Sequence, residues 1–202
     1  MRVKICGIRR LEDAESAVTC GAWALGFIFQ RDSRRYIEPE QAREITRRLS
    51  GQVLTVGVFV DAPIDELNDV VRRACLRAVQ LHGSEDVAYA SRVEAEQVIK
   101  AFRVGDGFDP SAIEPFAGAP VLLDAYHPHA AGGTGTSFDW SIARKLGESA
   151  QVILAGGIRP ENAAQAIEAA RPWAIDVSSG VEVAPGVKDP DRIRLLFDAV
   201  RA

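Results

Sequence analysis

An apolar run closed by a carboxylate, Val121-Leu122-Leu123-Asp124, sets the architecture of this chain. A strand buried on both faces reads as a continuous aliphatic run, which is typical of a parallel sheet. Seven further strand-like runs alternate with stretches of helical periodicity along the sequence. Working outward in both directions, strands are predicted at Val3–Cys6, Ala24–Phe29, Val53–Val60, Ala78–Leu81, Gln97–Phe102, Val121–Ala125, Val152–Ala155 and Ala174–Val177.

The stretches between the strands have the 3.6-residue period of amphipathic helices. In one of them Leu67, Val70 and Val71 fall on a single face. Eight strands that alternate with helices can form an open doubly wound sheet or a closed barrel. The count of eight favours one (β/α)8 TIM barrel domain over residues 1–202. The connection from Phe102 to Pro120 is rich in glycine and proline, so helix five is expected to be short or irregular.

Composition narrows the class of protein. The 202 residues are 47% hydrophobic and 26% charged, with a formal net charge of −4. An acidic chain offers no basic face for a nucleic-acid backbone. No apolar run approaches the roughly 18 residues of a membrane span. Three cysteines, an odd number, argue against a disulfide framework. We therefore expect a cytoplasmic protein with reduced thiols that binds neither nucleic acid nor membrane.

Two consecutive strand ends carry glycine and serine. Gly156 and Gly157 follow strand seven, and Ser178, Ser179 and Gly180 follow strand eight. Glycine lets backbone N–H groups approach an anion closely, and serine hydroxyls add donors. Because such barrels often bind phosphate with these two loops, the sequence predicts a phosphate site there. The alternative is a pair of tight turns.

A third glycine cluster, Gly132-Gly133-Thr134-Gly135, lies in the long loop after strand six. Glycine at both ends of a segment allows it to hinge. We expect this loop to be flexible and to lie near the site.

Metal and cofactor chemistry find little support in the sequence. The chain has three histidines, His82, His127 and His129, and no third ligand accompanies the last two at suitable spacing. Nucleotide-binding signatures are missing, and no lysine stands at a strand end for Schiff-base chemistry. We expect no metal and no cofactor.

Two strand ends carry groups suited to proton transfer. Cys6 ends strand one, and Asp124 ends strand six. The active site of a parallel barrel lies at the carboxyl ends of its strands. A modest depression of its pKa would make Cys6 a thiolate base, and burial would keep Asp124 a protonated acid. The alternatives are an inert buried thiol and an aspartate that caps a turn.

The ordered motifs resemble the phosphoribosylanthranilate isomerase family of tryptophan biosynthesis. The resemblance covers nearly the whole chain. It is carried by Lys4-Ile5-Cys6-Gly7-Ile8, Gly26-Phe27-Ile28-Phe29, Ser33-Arg34-Arg35-Tyr36-Ile37, Val56-Gly57-Val58-Phe59-Val60, Val79-Gln80-Leu81-His82-Gly83, Leu123-Asp124, Gly132-Gly133-Thr134-Gly135, Phe138-Asp139-Trp140, Ala155-Gly156-Gly157-Ile158, Pro160-Glu161-Asn162, Asp176-Val177-Ser178-Ser179-Gly180-Val181-Glu182, Pro185-Gly186 and Lys188-Asp189.

The resemblance implies a cofactor-free Amadori rearrangement of N-(5-phosphoribosyl)anthranilate to 1-(2-carboxyphenylamino)-1-deoxyribulose 5-phosphate. It assigns Asp124 as the general acid that protonates the furanose ring oxygen. It assigns Cys6 as the general base that removes the proton from C2′.

The resemblance also assigns residues to substrate binding. Arg35 best matches the arginine that holds the anthranilate carboxylate, and the adjacent Arg34 is the alternative. Gln80 and His82 would line the site beside the substrate, although His82 could equally be a packing residue. Asp176 is expected to order the strand-eight phosphate loop.

Other phosphate-binding barrels fit less well. A pentose-phosphate epimerase or an aldolase would need metal ligands or a reactive lysine at a strand end. The sugar isomerases of histidine biosynthesis use two aspartates, whereas strand one here ends in Cys6. A non-catalytic phosphosugar-binding barrel would leave the paired thiol and carboxyl without a purpose. We expect a small phosphosugar as the partner, and a monomer or a homodimer.

Overall fold

The structure is a computed structural model that describes residues 1–105, 107–124 and 140–201. Eight parallel strands close into a barrel in which each strand pairs with its neighbours in sequence and β1 pairs with β8. They are β1 (Arg2–Cys6), β2 (Ala24–Ile28), β3 (Leu54–Phe59), β4 (Ala78–Leu81), β5 (Gln97–Arg103), β6 (Val121–Asp124), β7 (Val152–Ala155) and β8 (Ala174–Val177). The predicted barrel is confirmed. Each predicted bound lies within one residue of the observed one, except that Ala125 lies outside the described residues.

Helices lie between the strands and cover the outside of the barrel. They are α1 (Leu11–Cys20), α2 (Pro39–Arg48), α3 (Ile64–Arg73), α4 (Val87–Ala90), α5 (Trp140–Leu146), α6 (Ala163–Ala170) and α7 (Pro190–Arg201). Between β5 and β6 the described residues form a 3₁₀ helix, Pro110–Phe116, which confirms the irregular fifth helix. Over the described ranges, none of the helices has the length and apolar character needed to cross a membrane.

Side chains alternate along each strand between the barrel interior and the helical layer. In β1, Val3 and Ile5 pack into the outer core, so Lys4 and Cys6 point inward. Small and medium residues fill the lower interior: Ala24, Val56, Ala78, Ile99, Ala101, Leu122, Ile153, Ala155 and Ala174. The polar interior positions therefore lie above a packed floor, at the end of the barrel where the strands terminate.

A short antiparallel hairpin after β8 was not predicted from the sequence. It consists of β9 (Glu182–Ala184) and β10 (Val187–Lys188) and follows a 3₁₀ turn at Ser179–Val181. The hairpin folds back against α1 and β1, because the amide N–H of Lys188 donates to the buried carboxylate of Asp13 and the Lys188 Nζ donates to the carbonyl oxygen of Cys6. It thereby brings Glu182 and Lys188 to the mouth of the barrel.

Candidate active site

The thiol of Cys6 lies inside the barrel beside a glycine. A Cβ built on Gly26, its partner in register on β2, would lie 2.7 Å from the Cys6 Sγ and 3.1 Å from the Lys4 Nζ. Only glycine leaves room for both groups at this position. Burial raises the pKa of the Cys6 thiol and outweighs the opposing charges of Lys4 and Lys188. The sequence left the direction of this pKa shift open, and in the ligand-free protein the shift is upward.

Lys4 is a buried cation that the sequence analysis left inside strand one without a role. Its Nζ donates to Gln80 Oε1 at 2.9 Å and to Asp176 Oδ2 at 3.0 Å. Burial opposes the charge, but Asp176 and Cys6 outweigh it and raise the pKa of Lys4. The sequence pattern that could have indicated its place is the spacing of two residues from Cys6, which puts both side chains on the same face of one strand.

Asp176 does not have the place expected for it. One carboxylate oxygen accepts from Lys4 in the barrel interior, and Oδ1 has no hydrogen-bond partner among the described residues. The side chain thus belongs to the interior charge cluster. The expectation that it orders the strand-eight loop was wrong, because strand alternation turns position 176 inward, away from that loop.

On the other side of the mouth Asp124 meets His82, one of the two predicted lining residues, and His82 in turn meets Gln80, the other. The His82 Nε2 lies 3.3 Å from Asp124 Oδ2, and the His82 Nδ1 lies 2.8 Å from the amide nitrogen of Gln80. The His82 and Asp124 side chains are 20% and 22% exposed, whereas Gln80 is buried. A cavity of about 480 Å³ opens beside His82 toward Phe102 and Phe116. His82 thus contacts the predicted acid directly, and Gln80 contacts His82 from the barrel interior.

Arg35 lies over the start of the loop after β1, whereas Arg34 is exposed to solvent. A Cβ on Gly7 would lie 2.7 Å from the Arg35 Cδ, so the arginine stem crosses directly above the residue after Cys6. The guanidinium donates from Nε and Nη2 to the two oxygens of Glu182, at 2.9 and 2.6 Å. This bidentate pair fixes the plane of the guanidinium and leaves Nη1 facing away from Glu182.

Glu182 and Lys188 were missed as site residues. Lys188 Nζ donates to Glu182 Oε1 at 2.8 Å and to the carbonyl oxygens of Cys6 and Ser178. Burial opposes ionisation of Glu182, but hydrogen bonds from Arg35 and Lys188 outweigh it and hold the pKa of this carboxyl below its usual value. The sequence feature that could have pointed to them is that both residues lie within the motifs shared with the family. The hairpin that places them was not predicted.

The glycine and serine loops after β7 and β8 touch each other. A Cβ on Gly180 would lie 2.0 Å from the carbonyl oxygen of Ile158, so only glycine permits this approach. Gly156 and Gly157 have φ values of +88° and +67°. The N–H groups of Gly157 and Ser179 donate to no acceptor within the described part of the chain. The two predicted phosphate loops therefore lie against each other at the ends of β7 and β8.

Two features predicted from the sequence fall wholly or partly outside the described residues. The glycine loop with Gly133, Thr134 and Gly135 lies outside the described residues, as do His127 and His129. Within the ranges that the structure describes, no group of three or more metal-ligating side chains is present.

Comparison with known proteins identifies the family. The family model described as N-(5'phosphoribosyl)anthranilate (PRA) isomerase matches residues 3–199. The isomerase of Geobacter metallireducens is 50% identical to this chain over 202 residues, and the alignment covers 100% of both chains. The crystal structure of the isomerase from Thermotoga maritima superposes with a TM-score of 0.92 at 42% identity, over 100% of this chain and 98% of that one.

A further solved structure carries a ligand. It is a phosphoribosylanthranilate isomerase in complex with reduced 1-(o-carboxyphenylamino)-1-deoxyribulose 5-phosphate, with a TM-score of 0.87 and 41% identity over 100% of this chain and 98% of that chain. These matches span the full barrel and include the strand ends described above. The chain belongs to the N-(5'-phosphoribosyl)anthranilate isomerase family.

Proposed function

We propose that Asp124, as general acid, and Cys6, as general base, catalyse the rearrangement of N-(5'-phosphoribosyl)anthranilate to 1-(2-carboxyphenylamino)-1-deoxyribulose 5-phosphate. The chain is an isomerase of tryptophan biosynthesis, as its family membership indicates. The observation that carries the assignment is that β1 and β6 present a thiol and a carboxyl group inward at one barrel mouth. The loops of Gly157 and Ser179 lie between them, after β7 and β8.

Asp124 acts first. Its carboxyl group donates a proton to the furanose ring oxygen while the C1′–O bond breaks, and the anilino nitrogen forms an iminium with C1′. Asp124 is left as a carboxylate beside His82 Nε2. Its partial exposure at the mouth supports this role, because the reacting oxygen must reach it.

Cys6 acts on the open-chain iminium. The positive nitrogen acidifies the C2′ proton, so the thiolate of Cys6 removes it and the electrons of the C–H bond form an enolamine. Proton addition at C1′ and loss of the hydroxyl proton at C2′ give the ketone. Turnover closes when the Cys6 thiol loses its proton and Asp124 regains one. The nearby Lys4 ammonium stabilises the thiolate state.

The remaining residues bind the two anionic ends of the substrate. The free Nη1 edge of Arg35 would accept the anthranilate carboxylate, and its position over Gly7 supports Arg35 rather than Arg34. The N–H groups of Gly157 and Ser179 would hold the phosphate. We further infer that the enzyme works in the cytoplasm as a monomer or a homodimer. One solved relative is titled as monomers generated from a dimeric isomerase.

Two substitutions test the assignment. Cys6→Ser and Asp124→Asn should each lower kcat by roughly 10²- to 10⁴-fold, because each removes one proton-transfer group. The rate is followed as the loss of anthranilate fluorescence from freshly made phosphoribosylanthranilate. Binding of the reduced product analogue should be nearly unchanged, since the phosphate and carboxylate contacts persist. Unchanged turnover in both variants would contradict the acid and base roles.

A further inference from the structure

A chain of polar contacts joins the base side of the mouth to the acid side. It runs from the Lys4 Nζ to Gln80 Oε1 at 2.9 Å, and from Gln80 Nε2 to His82 Nδ1 at 2.8 Å. The His82 Nε2 then lies 3.3 Å from Asp124 Oδ2. An ammonium can only donate hydrogen bonds, so its position determines the direction of each later bond.

We propose that Lys4 and Gln80 are positioning residues that hold His82 as the neutral tautomer with hydrogen on Nε2. This tautomer in turn places the acid proton of Asp124 on Oδ1. Because the Lys4 ammonium donates to Oε1, the Gln80 amide group must point its NH₂ at His82. The His82 Nδ1 accepts that bond and carries no hydrogen, so the ring is neither a cation nor the other neutral tautomer.

The opposite orientation of Gln80 is unfavourable. A rotated amide would turn its NH₂ toward the Lys4 ammonium and its oxygen toward His82, so two donors would face each other in a buried site. Lys4 also keeps its charge, because Asp176 pairs with it at 3.0 Å inside the barrel. Gln80 is only 1% exposed, so water does not offer an alternative partner.

The tautomer has a consequence for the acid. With hydrogen on Nε2, His82 donates to Asp124 Oδ2, and the carboxylic proton then lies on Oδ1. After proton transfer the same N–H stabilises the Asp124 carboxylate. This consequence rests on the proposed role of Asp124 as acid, whereas the tautomer itself follows from the contacts alone.

The tautomer can be read directly by NMR. Long-range proton–nitrogen correlation spectra of ¹⁵N-labelled wild-type protein at neutral pH distinguish a protonated ring nitrogen from an unprotonated one. His82→Asn identifies the His82 signals, since the chain has three histidines. We expect Nε2 protonated and Nδ1 unprotonated. Hydrogen on Nδ1, or on both nitrogens, would overturn the proposal.

Substitution of Gln80 tests the positioning role. Gln80→Leu should leave His82 in a mixture of tautomers and lower kcat on the order of tenfold with little change in KM. Gln80→Glu should place a carboxylate against Nδ1 and give a doubly protonated ring. An unchanged His82 spectrum in folded Gln80→Leu protein, or in Gln80→Glu protein, would overturn the proposal.

A matched control separates positioning from packing. Asn68 is another buried amide, which donates to the Arg92 carbonyl at 3.0 Å and accepts from the Glu94 N–H at 2.9 Å. Asn68→Leu should lower stability while the His82 signals and kcat stay at wild-type values. Because the spectra need no substrate, a failed acid assignment in Asp124→Asn would leave the tautomer result standing.

Discussion

The two sides of the barrel mouth are built on different physical principles. The base side is a buried, charged cluster contributed by β1, β8 and the hairpin: Lys4, Cys6, Asp176, Glu182 and Lys188. The acid side is a short, partly exposed row contributed by β4, β6 and the loop after β4: Gln80, His82 and Asp124. The base side contains two buried ion pairs, Lys4–Asp176 and Lys188–Glu182. On the acid side, the His82 and Asp124 side chains are about one-fifth exposed.

This difference separates the two chemical tasks. A buried charge is tolerated only when it is paired and hydrogen-bonded, so the base side is rigid and its charges fixed. Cys6 lies within that cluster, where burial raises its pKa and a neighbouring cation opposes the rise. The acid side is partly exposed to solvent, which suits a group that must reach a ring oxygen and regain a proton, and its His82 lines the cavity. The base is thus controlled by fixed charges, and the acid by the orientation of its neighbours.

A substitution on the base side should lower the free energy of unfolding more than a substitution on the acid side. Lys4→Met removes a fully buried cation and leaves the Asp176 carboxylate unpaired, which should cost about 3–5 kcal/mol of unfolding free energy. His82→Asn removes the two side-chain contacts of a partly exposed residue, with Asp124 and with Gln80, and should cost about 2 kcal/mol. Urea denaturation of the two variants and the wild type measures both values. Equal costs would contradict the division into a buried and an open side.

The barrel and the strand-end residues could be predicted because their signals are local. Apolar runs such as Val121-Leu122-Leu123 indicate buried strands, and the residue after such a run lies at the mouth of a parallel barrel. This reasoning reached Cys6, Asp124 and the loops of Gly157 and Ser179 without any knowledge of contacts, and the family resemblance added Gln80 and His82.

The base side could not be predicted because its partners are distant in sequence. Lys4 meets a carboxylate 172 positions away, and Arg35 meets Glu182 across 147 positions. Such pairs depend on barrel closure and on the β9–β10 hairpin, which lies in a stretch without strong periodicity. The direction of the Cys6 pKa shift depends on these same contacts, so the sequence alone left it open.

Arg35 is the cation of this region that reaches the open mouth, and its neighbour provides a control. Arg35→Met should weaken substrate binding by about 2 kcal/mol, roughly 30-fold in KM, because a charge-assisted hydrogen bond to the substrate carboxylate is lost. Arg34→Met should change KM little, since that side chain lies in solvent. Steady-state kinetics of both variants measure the difference. A larger effect at Arg34 would reassign the carboxylate contact.

The smallest expected effect concerns thiol reactivity. Labelling of the thiols requires no substitution, and it measures how accessible the base side is to a reagent. Cys75 is exposed, and Cys6 is buried with a raised pKa. Because the thiolate is the reactive form, iodoacetamide should label Cys75 well before Cys6 in the native protein, as peptide mass spectrometry would show. Unfolded protein, in which all thiols are accessible, is the control.

Labelling of Cys6 as fast as Cys75 would mean that the ligand-free enzyme already holds an accessible thiolate. The charge cluster would then be an open site that favours the base before substrate arrives. Slow labelling instead means that the empty barrel holds no accessible thiolate at Cys6. In that case the ionised base forms only as a small fraction beside Lys4, and the acidified C2′ proton of the iminium makes that fraction sufficient.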